Sequence, residues 1–452
     1  MIELTADFAK KLRPMGKLNG MNNGPLMAHT DHTEAYRAMG VDFVRFHECH
    51  AQQANCIEVP FVFPNFDADE FDENNYIFTE TDVAIAAAVE EGCEIMYRFG
   101  MGTEIHNEKT LFLVCPPDYE KWGRIVIQIL KHYNEGWANG FHYNIKWCEI
   151  WNEADLYQYW PGPREKYIRF YAVTSKMLKA YDSTLRICPS GFAGCIPEKP
   201  GKDATADQIQ KYEERYNFFH SLLDTVVREN LPLDCFPWHF YRANSKGVVT
   251  LLKSIKEMLA MHGMEDLDLI NTEWGPYSLH SGPGKGIEGR TCARAWDMAQ
   301  TETVKSGVCA LASMIVMQQY GNSRAAYYDP DPRSNFCGLY DYDGTPWHHF
   351  HAMVAVKMLR AGEWEYETTG ETDNVRICAT FNGKKAIVCI TCEDKPEDVR
   401  LKIRNLERSS VTYYLFDETH PLKAVKRGTF GGRAVNLHLD ADSALVLEYE
   451  CV

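Results

Sequence analysis

The sequence contains no apolar run long enough to span a membrane, which excludes a protein built of membrane-crossing helices. Its opening, Met1-Ile2-Glu3-Leu4-Thr5-Ala6-Asp7, lacks the basic stretch and apolar core of a secretion signal, so a cytoplasmic location is expected. Concentrated positive charge is missing too. With 47 Lys+Arg against 63 Asp+Glu, the formal net charge of −16 disfavours nucleic acid and anionic membrane as partners, since both are recruited by basic surface. Paired cysteine motifs are almost absent: among fifteen cysteines only Cys389 and Cys392 form a Cys-x-x-Cys. Those two fall in an expected strand, where positions three apart face opposite sides, and no second pair completes a zinc site. Cys93, Cys148, Cys188, Cys235 and Cys309 stand singly in apolar stretches, as reduced core thiols do. There is no internal repeat and no phosphate loop. Gly282-Pro283-Gly284-Lys285-Gly286 lacks the strand-to-helix setting such a loop needs and reads as a connection.

What is present is an alternation of short apolar runs with amphipathic stretches. Runs at 17–22, 41–46, 93–99, 145–151, 185–190, 233–241, 267–273 and 308–318 read as strands buried on both faces. Helical stretches between them include 80–91, ended by Gly92, and 119–133. Strand then helix, eight times over, is the pattern of an α/β (β/α)8 barrel, expected over 12–361 and closed by a helix at 347–359. Beyond Gly362 the texture changes to short alternating runs at 375–379, 385–391, 399–403, 411–416, 434–439 and 444–449. These predict an antiparallel β-sandwich over 362–452, with residues 1–11 able to add an edge strand. Long polar interruptions at 49–75 and 197–210 would shape the barrel mouth.

Two of the apolar runs end in carboxylic acids. Trp147-Cys148-Glu149-Ile150-Trp151-Asn152-Glu153 closes the fourth strand and Leu269-Ile270-Asn271-Thr272-Glu273-Trp274 the seventh. Both ends would lie over the C-terminal mouth, where such barrels carry their chemistry. Breaking a glycosidic bond takes a proton for the departing oxygen and electron density for the sugar cation, and two carboxyl groups supply both. About 5 Å apart, one attacks the anomeric carbon and configuration is retained; at roughly 6.5–9.5 Å a water fits between and it inverts. The ordinary alternative is that both glutamates pair with arginines or cap helices. The neighbours favour chemistry: Asn152 can donate to a sugar hydroxyl, and Trp151, Trp160 and Trp274 offer flat faces for a pyranose, although a single tryptophan is more often core.

Trp151-Asn152-Glu153 and Thr272-Glu273-Trp274 resemble the acid/base and nucleophile segments of clan A retaining glycoside hydrolases. Within that clan the match is closest to glycoside hydrolase family 39, of β-xylosidases and α-L-iduronidases. Val44-Arg45-Phe46-His47 resembles that family's Arg-x-His at strand two, and Trp238-His239-Phe240-Tyr241 its His-x-Tyr at strand six. The resemblance implies that Glu153 acts as general acid and then base, that Glu273 is the nucleophile, and that Asn152 binds the hydroxyl beside the anomeric carbon. An ionised Glu273 would raise the pKa of Glu153, and Glu273 itself needs support, for which Arg45 and Tyr241 are candidates. His47 and His239 would bind sugar hydroxyls or hold a glutamate. Many members end strand eight with a tryptophan; here the run Met317-Gln318-Gln319-Tyr320-Gly321 makes Tyr320 the candidate substitute.

The reading that follows is a retaining exo-glycosidase without a cofactor, acting on an equatorial bond of β-D-xylo, gluco or galacto type or an L-series relative. A carbohydrate-binding pseudoenzyme and a transglycosylase remain as alternatives, and homo-oligomers are compatible with the sequence. A metal centre from His29 and His32, or from His47 and His50, lacks ligand spacing. The triplet His348-His349-Phe350-His351 lies on the closing helix, far from the mouth.

Overall fold

Phe43–Phe46 shows why the barrel forms. All four residues are buried, so the strand has no face for water and must be covered on both sides. It pairs in parallel with Lys17–Asn22 on one edge and Glu94–Phe99 on the other. The computed structural model describes residues 1–27, 30–47, 56–101, 115–194, 200–241, 244–276, 301–332, 338–432 and 434–451. Within them, Trp147–Ile150, Arg186–Pro189, Cys235–Tyr241, Asp268–Gly275 and Asn322–Tyr327 complete an eight-stranded parallel sheet. It closes where the fifth strand, Arg186–Pro189, lies beside the sixth, Cys235–Tyr241, joined by bonds such as Asp234 N–H to Ile187 C=O (2.8 Å).

Alternation along these strands sorts the interior into layers. Phe43, Met96, Trp147, Cys188, Cys235, Ile270 and Ala326 meet in an apolar plug. Two residues further along the same strands come Arg45, Arg98, Glu149 and Thr272, all fully buried, so the layer beneath the mouth is polar. Intervening residues such as Val44 and Phe46 turn outward into the main core with the helices.

The run at 308–318 is a helix, Val304–Gln319, and the eighth strand is Asn322–Tyr327. Every residue from Ser306 to Gln318 is buried, because this helix lies between the barrel and the C-terminal sheet. A helix apolar on all sides carries no period of 3.6, which is why it reads as a strand. The true strand, Asn-Ser-Arg-Ala-Ala-Tyr, looks polar because Arg324 reaches Glu94 (2.8 Å) and lies over Trp147 at the closed end.

Residues Trp364–Thr369 to Ser443–Cys451 form the C-terminal sheet, and Ile2–Pro14 joins it. Nine strands share one hydrogen-bonded sheet in which Ile2–Pro14 is an interior strand, third from one edge, antiparallel to Trp364–Thr369 and parallel to Glu397–Arg404. The sheet curls so that Val435–Leu439 at one edge touches Ser443–Cys451, enclosing Leu4, Val388, Leu401 and Leu447. Its other face presents Cys378, Ile387, Cys389 and Val446 to the barrel helices. Cys389 and Cys392 therefore point to opposite sides, and none of the described cysteines is bridged. Among the described residues no helix is long and apolar enough to cross a membrane.

Candidate active site

A guanidinium inside a barrel survives only if its N–H groups find acceptors. Arg45, fully buried, donates from Nε to Glu149 Oε2 (2.5 Å) and from Nη2 to Asn152 Oδ1 (2.8 Å). Its Nη1 serves Asn22 Oδ1 (2.9 Å) and Glu273 Oε2 (3.2 Å). One side chain thus ties together the ends of strands one, four and seven. With its oxygen turned to Arg45, the Asn152 amide keeps its NH2 group for another acceptor.

The turn after strand four is strained. Trp151 (φ 78°) and Glu153 (φ 40°) both adopt the left-handed conformation that non-glycine residues avoid, at roughly 1–3 kcal/mol each. Hydrogen bonds hold it: Trp151 N–H to Phe99 C=O and Glu153 N–H to Gly191 C=O, both 2.9 Å, and Trp151 Nε1 to Tyr159 C=O at 2.8 Å. The result is that Asn152 and Glu153, adjacent in sequence, both reach the mouth.

Strand seven reaches the same end with a bulge. Asn271 pairs with Trp238 and Glu273 with His239, so Thr272 is an extra residue. Thr272 and Glu273 then both face inward, the hydroxyl donating to Glu149 Oε1 (3.2 Å). Glu273 Oε1 accepts the Tyr241 hydroxyl at 2.6 Å, and His47 Nε2 lies 3.6 Å from Oε2. His239 stands between the acids, its Nδ1 at 2.8 Å from Glu153 Oε1 and 3.9 Å from Glu273 Oε2. One carboxylate oxygen of Glu153, one of Glu273 and a ring nitrogen of His239 all lie within 4.8 Å of one another. Three such atoms could ligate a cation, but the fixed charge of Arg45 in the same pocket opposes one.

Burial raises the Glu273 carboxyl above the ordinary carboxylate range, and Glu153 adds to this, while His239, Arg45 and the Tyr241 hydroxyl pull it down. Burial also pushes the His239 imidazole below its usual value, against the pull of Glu273.

Three expected sugar contacts lie elsewhere. Trp160 is fully buried among Trp151, Tyr167 and Phe170, with Nε1 bonded to Pro163 C=O, so it is core and offers no face. Trp274 follows the bulge and turns outward against Tyr327, equally shielded. Tyr320 caps the helix Val304–Gln319, ahead of the eighth strand, and so belongs to the end of the barrel opposite the mouth. Tyr328, just past that strand, instead brings its ring to 5.7 Å from His47. Of the histidines read as metal candidates, His29 and His50 lie outside the described residues, as does 282–286. His32 bonds to Tyr340 and Asp331, and His349 is buried between Ser306 and Tyr327.

Sequence reasoning passed over Glu149, Asn22, Thr272 and Gly191. The first three orient Arg45 and each other; Asn22 also donates to Thr272 C=O (3.1 Å) and Ala326 C=O (2.9 Å). A charged residue inside a strand with no exposed face, as with Arg45, Arg98 and Glu149, is the signal that would have found this layer. A separate cavity of about 1000 Å³ opens at Asp155, between the start of Arg164–Tyr181 and the Gln208 to Ser221 stretch of Ala206–Glu229, with Tyr157, Tyr212 and Arg215 in its walls.

Residues 29–272, more than half of the chain, match the model of glycosyl hydrolases family 39. Solved structures share the fold over nearly their full length. A glucosidase from Croceicoccus marinus superposes with a TM-score of 0.75 at 18% identity, covering 100% of this chain and 99% of that one. A monomeric beta-xylosidase from Caulobacter crescentus CB15 gives 0.70 at 13% identity with 100% of both chains covered. The GH39 enzyme from Xanthomonas axonopodis pv. citri gives 0.68 at 14%, covering 100% and 97%.

Proposed function

The chain belongs to glycosyl hydrolases family 39 and is a glycoside hydrolase, and from that premise we propose that it is a retaining exo-glycosidase with Glu273 as nucleophile and Glu153 as acid/base. The observation that carries the mechanism is the spacing of the two acids. Carboxylate oxygens within 4.8 Å of one another support the closer carboxyl spacing of a retaining enzyme over the wider one that admits a water between the acids. In the first step Glu273 attacks the anomeric carbon while Glu153 gives its proton to the departing oxygen. In the second, Glu153 takes a proton from water, the water oxygen bonds to the anomeric carbon, and Glu273 leaves.

The surroundings support these roles. A nucleophile has to be ionised, and Tyr241 and Arg45 both donate to Glu273. Asn152, its oxygen held by Arg45, directs its NH2 to the hydroxyl beside the anomeric carbon. The glucosidase and beta-xylosidase likenesses fit an equatorial β-D-gluco or β-D-xylo bond.

A panel of aryl glycosides, followed by NMR of the first-formed product, tests the reading. The expected product keeps the substrate's anomeric configuration. Glu273→Ala is expected to lose several orders of magnitude in turnover and to regain it with azide, giving a glycosyl azide of inverted configuration. An inverted sugar from wild type, or ordinary turnover by Glu273→Ala, would sink it.

A further inference from the structure

Direction along a chain of buried hydrogen bonds is set by whichever end can only accept. Glu149 is such an end. Its Oε2 accepts from Arg45, and its Oε1 accepts from the Gly191 N–H (2.6 Å) and the Thr272 hydroxyl (3.2 Å). Having given its one proton to Glu149, Thr272 Oγ1 can only accept from His239 Nε2, 3.1 Å away. A neutral imidazole with its proton on Nε2 has a bare lone pair on Nδ1. That lone pair faces Glu153 Oε1 at 2.8 Å, a distance at which two lone pairs repel unless the carboxyl brings the proton.

We propose that Glu149, Thr272 and His239 form a positioning relay that fixes the histidine tautomer and thereby holds Glu153 as a neutral acid. The inference rests on Glu153 being the acid/base. Gly191 is shaped for the relay: a Cβ there would lie 2.0 Å from His239 Nε2 and 2.4 Å from Thr272 Oγ1, on top of their hydrogen bond. Burial of the imidazole keeps it neutral. Among the described residues, Glu273, Arg45, Asp155 and Tyr241 are further charged or titratable groups near the pair. Glu273 opposes a second anion, Arg45 favours one, and Asp155 is occupied by the N–H groups of Ala193 (3.1 Å) and Gly194 (2.9 Å). When the glycosidic C–O bond breaks, the proton passes from Glu153 to the departing oxygen. The carboxylate left behind faces the Nδ1 lone pair, which favours its taking a proton back from water in the second step.

Thr272→Val keeps the shape but removes the acceptor, so the imidazole can carry its proton on Nδ1 and donate to an ionised Glu153. The basic limb of kcat/KM is expected to move to lower pH. At pH 7 the loss on a substrate with a sugar or alkyl leaving group should exceed the loss on the dinitrophenyl glycoside by about tenfold or more, because dinitrophenolate needs no proton. Thr272→Ser should restore the wild-type profile. Nitrogen NMR of wild-type protein should find the His239 proton on Nε2. A proton on Nδ1, or a basic limb unmoved in Thr272→Val, overturns the relay. Glu153→Gln, run alongside, separates the two ideas: if it too leaves the basic limb in place, the acid/base assignment falls; if it abolishes that limb while Thr272→Val does not move it, only the relay falls.

Discussion

Tyr241 donates its phenolic proton to Glu273 Oε1 across 2.6 Å, the shorter of the two bonds that Glu273 receives from Tyr241 and Arg45. The hydroxyl favours the ionised carboxylate, against burial and Glu153, which both raise its pKa. Removing it in Tyr241→Phe therefore raises that pKa further, and the acid limb of kcat/KM should move to higher pH. A hydrogen bond to a charged group contributes about 1.5–3 kcal/mol, so turnover at neutral pH should fall roughly ten- to a hundredfold. An acid limb that stays in place would remove Tyr241 from the nucleophile's support.

Arg45 should matter for stability as much as for rate. Arg45→Met leaves Glu149 and Glu273 buried beside an apolar chain, a loss of about 3–5 kcal/mol expected from breaking a buried ion pair. Arg45→Lys keeps the charge but not the fork that reaches Glu149, Asn152 and Glu273 together. Both should denature at lower urea than wild type, and the lysine enzyme should remain nearly inactive.

Stability and catalysis should part company at Glu273. The folded state holds the Glu273 proton more tightly than the unfolded chain, so unfolding releases that proton and rising pH favours unfolding. Glu273→Gln removes this cost. Its Tm should exceed that of wild type at pH 7, and the advantage should shrink as pH falls toward the ordinary value of 4.5 and be gone below it, where the carboxyl is neutral in both states. A Tm advantage independent of pH would contradict the assignment.

The C-terminal sheet reaches the helix that follows Tyr241. Glu393 accepts from the Ser245 N–H (3.0 Å) and from its hydroxyl, and Arg376 Nε bonds the same hydroxyl at 3.0 Å. Glu393→Ala leaves these donors buried and unpaired, so about 1–3 kcal/mol should be lost. The start of helix Ser245–Met261 should loosen, seen as faster amide exchange there than in Arg164–Tyr181.

How legible all this was depended on how much each residue's neighbours vary. A run such as Trp147-Cys148-Glu149-Ile150 announces a doubly covered strand because nothing else of that length buries every position. The same logic misreads 308–318, since a helix enclosed by barrel and sheet is equally apolar. Glu153 and Glu273 stood out by ending strands. Trp160, Trp274 and Tyr320 did not behave as platforms, because a strained turn, a bulge and a helix end decide where a ring points, and none of these shows in composition. Gly191 was invisible for another reason: its role is the space a side chain would take from His239 and Thr272.

The position of Ile2–Pro14 has a bearing on how the molecule is made. Asp7 and its partner Asn405 stand 398 positions apart. During synthesis this strand leaves the ribosome ahead of every segment that flanks it in the finished sheet, and it waits with open edges until Glu397–Arg404 has followed. Such long-range pairing is slow to form and open to wrong partners in the interval. A chain cut at residue 362 would release a barrel trailing an adhesive ribbon, so aggregation on truncation would report on this strand rather than on the pocket.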